Sequence, residues 1–186
     1  MARRGMTCSA VDTVELEKSR RQVFLALFAA LAIALHAAET LLPTPLPWFR
    51  IGIANILTLT ALVLFGPRAA WGVAIIRIGL GSLLLGRFLT PGFFLACGGG
   101  LLAVAAMSLA YWWGRRWFSP IGLSILGAVG HVTGQVAVAS WLLQHTVVWS
   151  IYPVLFLIAI LTGGVNGFVA NGLIASLRRH PAFAKS

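Results

Sequence analysis

Acidic residues are almost absent from this sequence. Its 186 residues include four carboxylates against 14 lysines and arginines, and three of the four lie near the N-terminus, at Asp12, Glu15 and Glu17. Hydrophobic residues make up 59% of the chain and charged residues 10%, which excludes a soluble globular domain because that much apolar surface requires lipid. Nucleic-acid binding is also excluded, since the basic residues sit at the ends of apolar runs and not on one polar face.

The residues for several kinds of catalysis are missing as well. Asp12 is the single aspartate, so no paired aspartate-rich motif can hold magnesium on a diphosphate. No P-loop, Gly-x-Ser-x-Gly or His-Glu-x-x-His motif occurs. Cys8 lies in a polar tail and Cys97 in an apolar run, without the cysteine spacing of a metal site. We therefore predict a protein that is not an enzyme, has no metal or cofactor, and leaves any ATP hydrolysis to a partner.

Long apolar runs predict an all-α integral membrane protein, a six-transmembrane-helix bundle in contact with membrane lipid. The predicted organisation is a cytoplasmic basic tail at 1–21, a membrane domain at 22–178 and a cytoplasmic tail at 179–186. The first tail is expected to be partly disordered or a short surface helix. The alternative of a signal peptide fits poorly, because the first run is long and no small-x-small cleavage site follows it. The six runs cover about residues 23–42, 51–65, 69–86, 93–113, 121–143 and 152–177.

Basic residues set the predicted orientation. With the N-terminus in the cytoplasm, 11 of the 14 lysines and arginines fall inside, Arg50 and Arg87 fall outside, and Arg77 lies within the membrane. This distribution follows the positive-inside rule. We therefore predict a multi-pass protein of the cytoplasmic membrane with both termini cytoplasmic.

Polar residues within the spans are the candidates for function. An arginine at mid-span, such as Arg77, costs at least ~2.5–3.5 kcal/mol on insertion scales, so it either braces the bundle or binds an anion. His131 and Gln135 share one helix face, and either bind a ligand or form hydrogen bonds across helices. Gly127 and Gly134 are predicted to leave room beside that face. The candidate ligand-binding residues are Arg50, Asn55, Arg77, Ser82, Arg87, His131, Gln135 and Asn166.

The depth of these residues predicts where a ligand enters. Most of them fall at mid-span or in the outer half, which indicates a cavity open to the outside that holds arginines and amides. Such groups suit an anionic or hydrogen-bond-rich small molecule. Ten residues separate Arg77 from Arg87, or about 15 Å along a helix, which predicts that Glu39 at the outer end of the first span is too far away to pair with Arg77. The ligand would then supply the missing anion.

Alanines four residues apart follow the first span. Ala26, Ala30, Ala34 and Ala38 form a ridge of small side chains on one helix face. Such ridges allow another helix to approach closely, so this face either packs inside the bundle or docks a partner protein. The residues predicted for partner docking are Ala26, Ala30 and Ala34.

Several motifs occur in an order that resembles one bacterial family. They are Arg50-Ile-Gly-Ile-Ala-Asn55, Leu64-Phe-Gly-Pro67, Arg77-Ile-Gly-Leu-Gly-Ser82 and Gly127-Ala-Val-Gly-His131-Val-Thr-Gly-Gln135. The family is labelled both Gx transporter and heptaprenyl diphosphate synthase component I, and it is similar to the substrate-binding S components of energy-coupling-factor vitamin transporters. The resemblance implies a six-helix S component in a bacterial inner membrane, an outward-facing site, and a docking face matched by Ala26, Ala30 and Ala34.

Three functions follow from these expectations. The first is a solute-binding subunit for transport of a small organic molecule such as a vitamin, a flavin or an isoprenoid-like compound, with membrane or ATPase partner proteins. The second is a non-catalytic membrane subunit of a flavin- or quinone-linked redox complex or of a prenyl diphosphate synthase complex. The third is a channel or carrier that works alone. The identity of the partner protein would discriminate between the first two.

Overall fold

The computed structural model describes residues 5–41, 52–114 and 117–180, with side chains in the first range from residue 15 to residue 39. Within these residues the chain forms six α-helices and one short 3₁₀ helix, and no strand. The all-helical prediction is thus confirmed. The helices are α1 Gly5–Leu41, α2 Asn55–Phe65, α3 Pro67–Leu84, α4 Pro91–Gly114, α5 Pro120–Leu143 and α6 Tyr152–Arg179, with the 3₁₀ helix at Thr146–Ile151.

Four helical segments in the described part of the chain are long and apolar enough to cross a membrane. They are Glu15–Glu39 within α1, then α4, α5, and the segment Thr146–Arg179 that includes α6. The 11 residues of α2 rise only about 16 Å, well short of the ~30 Å hydrocarbon core. The chain is therefore a membrane protein, and four of its six helices have the length and composition of a crossing.

The first helix begins earlier than predicted. α1 runs without a break from Gly5 to Leu41, so the helix shows no boundary at residue 21, where the sequence predicted the end of a polar tail. The reason is local: after Gly5 the segment contains no glycine or proline, and Glu15, Leu16 and Lys18 belong to the good helix formers. The change from polar to apolar residues predicted where the membrane span begins, but it did not predict where the helix begins.

Contacts at both ends of α2 hold it against α1. At one end Arg21 Nη2 donates a hydrogen bond to the Phe65 carbonyl over 2.9 Å, and the guanidinium lies 6.0 Å from the Phe65 ring centroid. At the other end the Ile53 N–H donates to Glu39 Oε1 over 2.6 Å. The two helices are therefore antiparallel, and the turn that begins α2 lies at the Glu39 end of α1.

Glycines bring α4, α5 and α6 into close contact. A Cβ atom on Gly134 would overlap the Gly98 carbonyl oxygen of α4, and one on Gly127 would lie 2.7 Å from Met107 Sδ. A Cβ atom on Gly167 of α6 would lie 2.7 Å from the Cα atom of Ile121. The prediction that Gly127 and Gly134 leave room beside His131 is therefore wrong, because α4 fills that room.

The outer surface of the bundle is apolar. Leu161 on α6 is 71% exposed and Phe168 is 73% exposed, and an apolar groove of about 600 Å³ lies beside the end of α4, where Trp113 and Trp117 line it. A water-soluble protein would bury apolar side chains of this size. Their exposure here fits a surface that faces acyl chains, with tryptophans near its edge. Polar side chains, by contrast, collect inside the bundle.

Candidate functional site

Arg77 lies inside the protein and not against lipid. The residue is 3% exposed and sits in the second half of α3. Its Nη2 atom donates a hydrogen bond to Oδ1 of Asn55, the first residue of α2, over 3.0 Å. On α4, a Cβ atom at Gly100 would lie 3.3 Å from the same Nη2 atom. The guanidinium is thus held between three helices, and a residue larger than glycine at position 100 would press on it.

His131 and Gln135 face the neighbouring glycine of α4. Both residues are buried on α5, and a Cβ atom at Gly99 would lie 2.9 Å from His131 Cε1 and 2.9 Å from Gln135 Cγ. Because Gly99 and Gly100 are adjacent in sequence, they place the His131 imidazole and the Arg77 guanidinium at neighbouring positions along α4. Gly99 and Gly100 therefore set the positions of two polar side chains at this helix contact.

Two residues of α1 complete the cluster. His36 and Glu39 are each 6% exposed. The Cδ2 atom of His36 would lie 3.5 Å from a Cβ atom on Gly81 of α3, and Glu39 accepts the Ile53 N–H. Neither residue was predicted to bind a ligand. Their spacing of three residues was the sequence feature that could have identified them, because it places two ionisable side chains on one face of an apolar run.

Four ionisable side chains border one small cavity. His36, Glu39, Arg77 and His131 line it together with Gly52, and its volume is about 10 Å³. That is near the minimum for a single water molecule, whereas small-molecule pockets measure roughly 300–1,000 Å³. Among the described residues, the outward-open cavity of ligand size that depth predicted does not occur at this cluster. The polar groups lie together, but the helices around them pack too closely to leave space for a small-molecule ligand.

The structure corrects the predicted separation of Glu39 and Arg77. Both side chains border the same cavity, although the residue count along α3 suggested about 15 Å of separation in depth. The count assumed that Glu39 lies level with the outer ends of all spans. Glu39 lies instead level with the first turn of α2, as its bond to the Ile53 N–H shows. A carboxylate is therefore already present near the buried guanidinium.

The remaining candidate residues divide between the cluster and its surroundings. Asn166 of α6 is 8% exposed, and its Nδ2 atom lies 3.5 Å from the Gly52 carbonyl oxygen, at the long limit of a hydrogen bond. Ser82 is buried on α3 but does not border the cavity. Arg87 is exposed in the turn between α3 and α4 and does not border the cavity. Arg50 lies outside the described residues.

The alanine ridge of α1 faces outward. Ala26, Ala30 and Ala34 are exposed, whereas Ala29 and Ala32, on the adjoining face, are 3% and 0% exposed. One of the two interpretations was that the ridge packs inside the bundle. In the described bundle it does not. Docking of a partner protein on this face stays a prediction.

Comparison with known proteins identifies the family. The family model for heptaprenyl diphosphate synthase component I matches residues 28–173, a range that contains every residue of the cluster. No curated protein and no solved structure gives a match. The family description names one component of a synthase. With a single aspartate, this chain does not itself supply the paired aspartate-rich motifs that would hold magnesium on a diphosphate. It belongs to the heptaprenyl diphosphate synthase component I family.

Proposed function

We propose that the protein is a membrane-embedded, substrate-binding subunit for the transport of a small anionic or hydrogen-bond-rich organic molecule. The observation that carries the proposal is Arg77, which lies inside an apolar bundle in a cluster with polar side chains from four other helices. Ionisable groups inside a membrane protein are expensive, and they mark ligand or ion sites more often than structural ones. The contributing residues are His36 and Glu39 of α1, Arg77 of α3, His131 and Gln135 of α5, and Asn166 of α6, all buried, and the half-buried Asn55 of α2.

The chemistry of these groups defines the class of ligand. A guanidinium binds phosphate or carboxylate with two parallel N–H donors, and the amides of Asn55, Gln135 and Asn166 offer both donors and acceptors. Since the cavity measures about 10 Å³, a ligand of this kind enters only when the surrounding helices separate. The present structure is then the closed state of the subunit, and opening would be driven by a partner that docks on α1.

Native mass spectrometry of the purified protein tests this function. The wild-type protein should retain a small anionic molecule, and the exposed Arg87 provides a matched control, because Arg87→Gln should retain the same molecule. Arg77→Gln alone would leave Glu39 beside an uncharged amide, which destabilises a buried site. The double variant Glu39→Gln/Arg77→Gln keeps the cavity neutral, so it should fold and yet lose the anion. Arg77→Lys should retain part of it, because an ammonium cannot form two parallel bonds.

Two results would contradict ligand binding by Arg77. A double variant that keeps the bound anion would show that Arg77 braces the bundle and does not bind ligand. The same conclusion would follow if no small molecule accompanied the wild-type protein after gentle extraction into native lipid discs. Thermal melting of each variant, measured beside the mass spectra, separates loss of ligand from loss of fold.

A second function is favoured by the family description. As a non-catalytic membrane subunit of a prenyl diphosphate synthase complex, the protein would bind the diphosphate end of a lipid precursor at the same cluster. Affinity purification from native membranes discriminates between the two functions. A catalytic prenyl synthase bound to the protein would favour the synthase complex, and an ATPase pair would favour transport.

A further inference from the structure

The ionisable groups at the cavity have balanced charges when no ligand is bound. Arg77 carries a permanent positive charge, and Glu39, which borders the same cavity, supplies one negative charge when it is ionised. These two charges cancel, and His36 and His131 add none while they are neutral. An anion that enters this space therefore brings a negative charge that the closed cluster does not balance.

The groups that face His131 come from every helix packed around it. On α3 and α1 these are Arg77, His36 and Glu39, which border the same cavity. The described part of α2 contains no titratable residue. On α4 the contact is Gly99, with Cys97 two residues earlier, and the nearby titratable group of α6 is Tyr152, whose hydroxyl lies 2.8 Å from Thr133 Oγ1. Glu39 is thus the one carboxylate among the described groups around His131, and Arg77 is the nearest permanent cation.

We propose that this cluster binds an anion together with a proton, and that His131 is the residue that takes up the proton. The proposal rests on the proposed binding function and adds the second ligand. With the site empty, a charged imidazole beside the Arg77 guanidinium is disfavoured by like-charge repulsion. With an anion present, the charged imidazole is favoured, because its positive charge offsets one negative charge of the anion. Histidine is the side chain best suited to this exchange near neutral pH.

His36 is the less suitable of the two histidines. Its ring packs over Gly81, one helical turn beyond Arg77, and Glu39 is three residues away on the same helix. A charge on His36 would therefore respond mainly to Glu39 and less to a ligand held by Arg77. His131 approaches the Gly99–Gly100 pair against which the guanidinium itself lies, so its charge state responds to an anion at Arg77.

The test measures sulfate binding to the full-length protein in lipid discs over about pH 5 to 8, the range in which imidazole titrates. Sulfate keeps its charge throughout this range, so any proton taken up comes to the protein. Proton uptake is favoured at low pH, and the dissociation constant should therefore rise with increasing pH, by up to about tenfold per pH unit. A pH-indicator dye in weak buffer should report close to one proton taken up for each sulfate bound.

Three variants make the assignment specific. His131→Asn should bind sulfate weakly, with little dependence on pH and no proton uptake. His36→Asn removes a contributing residue of the site, so it should bind sulfate less tightly than the wild type and keep both the pH dependence and the proton uptake. His145→Asn is the matched control, because His145 is exposed beyond the end of α5. Proton uptake that survives in His131→Asn would overturn the assignment of the proton to His131, and a wild-type affinity that does not change with pH would overturn the coupling. Both results would leave the binding function intact. Absence of sulfate binding at every pH would overturn the coupling and the binding function.

Discussion

Glu39 has two tasks at the scale of a single residue. Its Oε1 atom accepts the Ile53 N–H and so fixes the turn that begins α2, while its carboxylate faces the cavity that Arg77 also borders. The turn needs an acceptor, and the cavity needs a negative charge. Glutamine separates these tasks, because its amide oxygen keeps the acceptor and loses the charge.

We expect Glu39→Gln to lower stability and raise anion affinity. Leaving Arg77 without a nearby carboxylate should reduce the free energy of unfolding by about 3 kcal/mol, and the uncompensated cation should bind sulfate more tightly than in the wild type. Thermal melting with and without sulfate measures both effects. Glu17→Gln, an exposed change on the same helix, should alter neither. An unchanged melting temperature in Glu39→Gln would show that the two charges do not interact.

Most residues of the cluster were predicted one at a time, but His36, Glu39 and the pairing between residues were not. Arg77 and His131 stand out because charged or polar side chains are rare within apolar runs. The bond between Arg77 and Asn55 joins positions 22 residues apart, and it depends on how α2 and α3 fold back on each other. Arg87 looked equally promising by composition, yet it lies in an exposed turn because α3 ends at Leu84.

At the scale of the helix, the contact between α4 and α5 determines where the cluster forms. Gly134→Ala places a methyl group against the Gly98 backbone, which cannot move aside as a flexible side chain would. We expect a loss of stability of about 1–3 kcal/mol from overpacking, together with weaker anion binding as His131 moves away from Gly99. Gly164→Ala is the control, since a Cβ atom there would meet nothing within 4 Å. Equal stability of the two variants in thermal melting would contradict the close contact.

The outward face of α1 offers a second test at this scale. Ala30→Trp adds bulk on the exposed ridge, so the protein should fold normally and lose association with a partner, because small-residue faces work through close helix approach. Ala29→Trp adds the same bulk at a site that is 3% exposed, and it should destabilise the bundle instead. Thermal melting and co-purification from native membranes measure the two effects. Retained association in Ala30→Trp would remove the ridge as a docking surface.

Helix limits were predictable wherever the sequence contains a local stop signal. α5 begins at Pro120, after the Ser119 side chain accepts the Gly122 N–H over 3.2 Å, and it was predicted from residue 121. α2 was predicted from residue 51 but begins at Asn55. The intervening turn includes Gly52 at φ 79°, and its geometry depends on Glu39, which lies 14 residues from Ile53. A local sequence pattern does not predict a hydrogen bond between residues that far apart.

At the scale of the whole molecule, the arrangement of polarity reverses that of a soluble protein. Large apolar side chains cover the outside, while the arginine, the glutamate and two histidines of the cluster lie within the bundle. The cluster also lies off-centre, towards the end where Glu39 meets Ile53 and away from the end where Arg21 meets Phe65. The direction from which a ligand reaches it therefore depends on which end of the bundle faces the cytoplasm.

The orientation can be tested at the two ends of α4. Leu89, 64% exposed just before α4, and Trp117, 89% exposed just after it, lie at opposite ends of one helix that is long enough to cross the membrane. In a background without Cys8 and Cys97, an impermeant maleimide added to intact cells should label Leu89→Cys. Trp117→Cys should be labelled only after lysis, because the basic residues near it belong on the cytoplasmic side. Ser150→Cys, in the exposed 3₁₀ helix after α5, should behave as Leu89→Cys does. Labelling of Trp117→Cys alone in intact cells would place the Glu39 end of the bundle, and with it the anion site, on the cytoplasmic side.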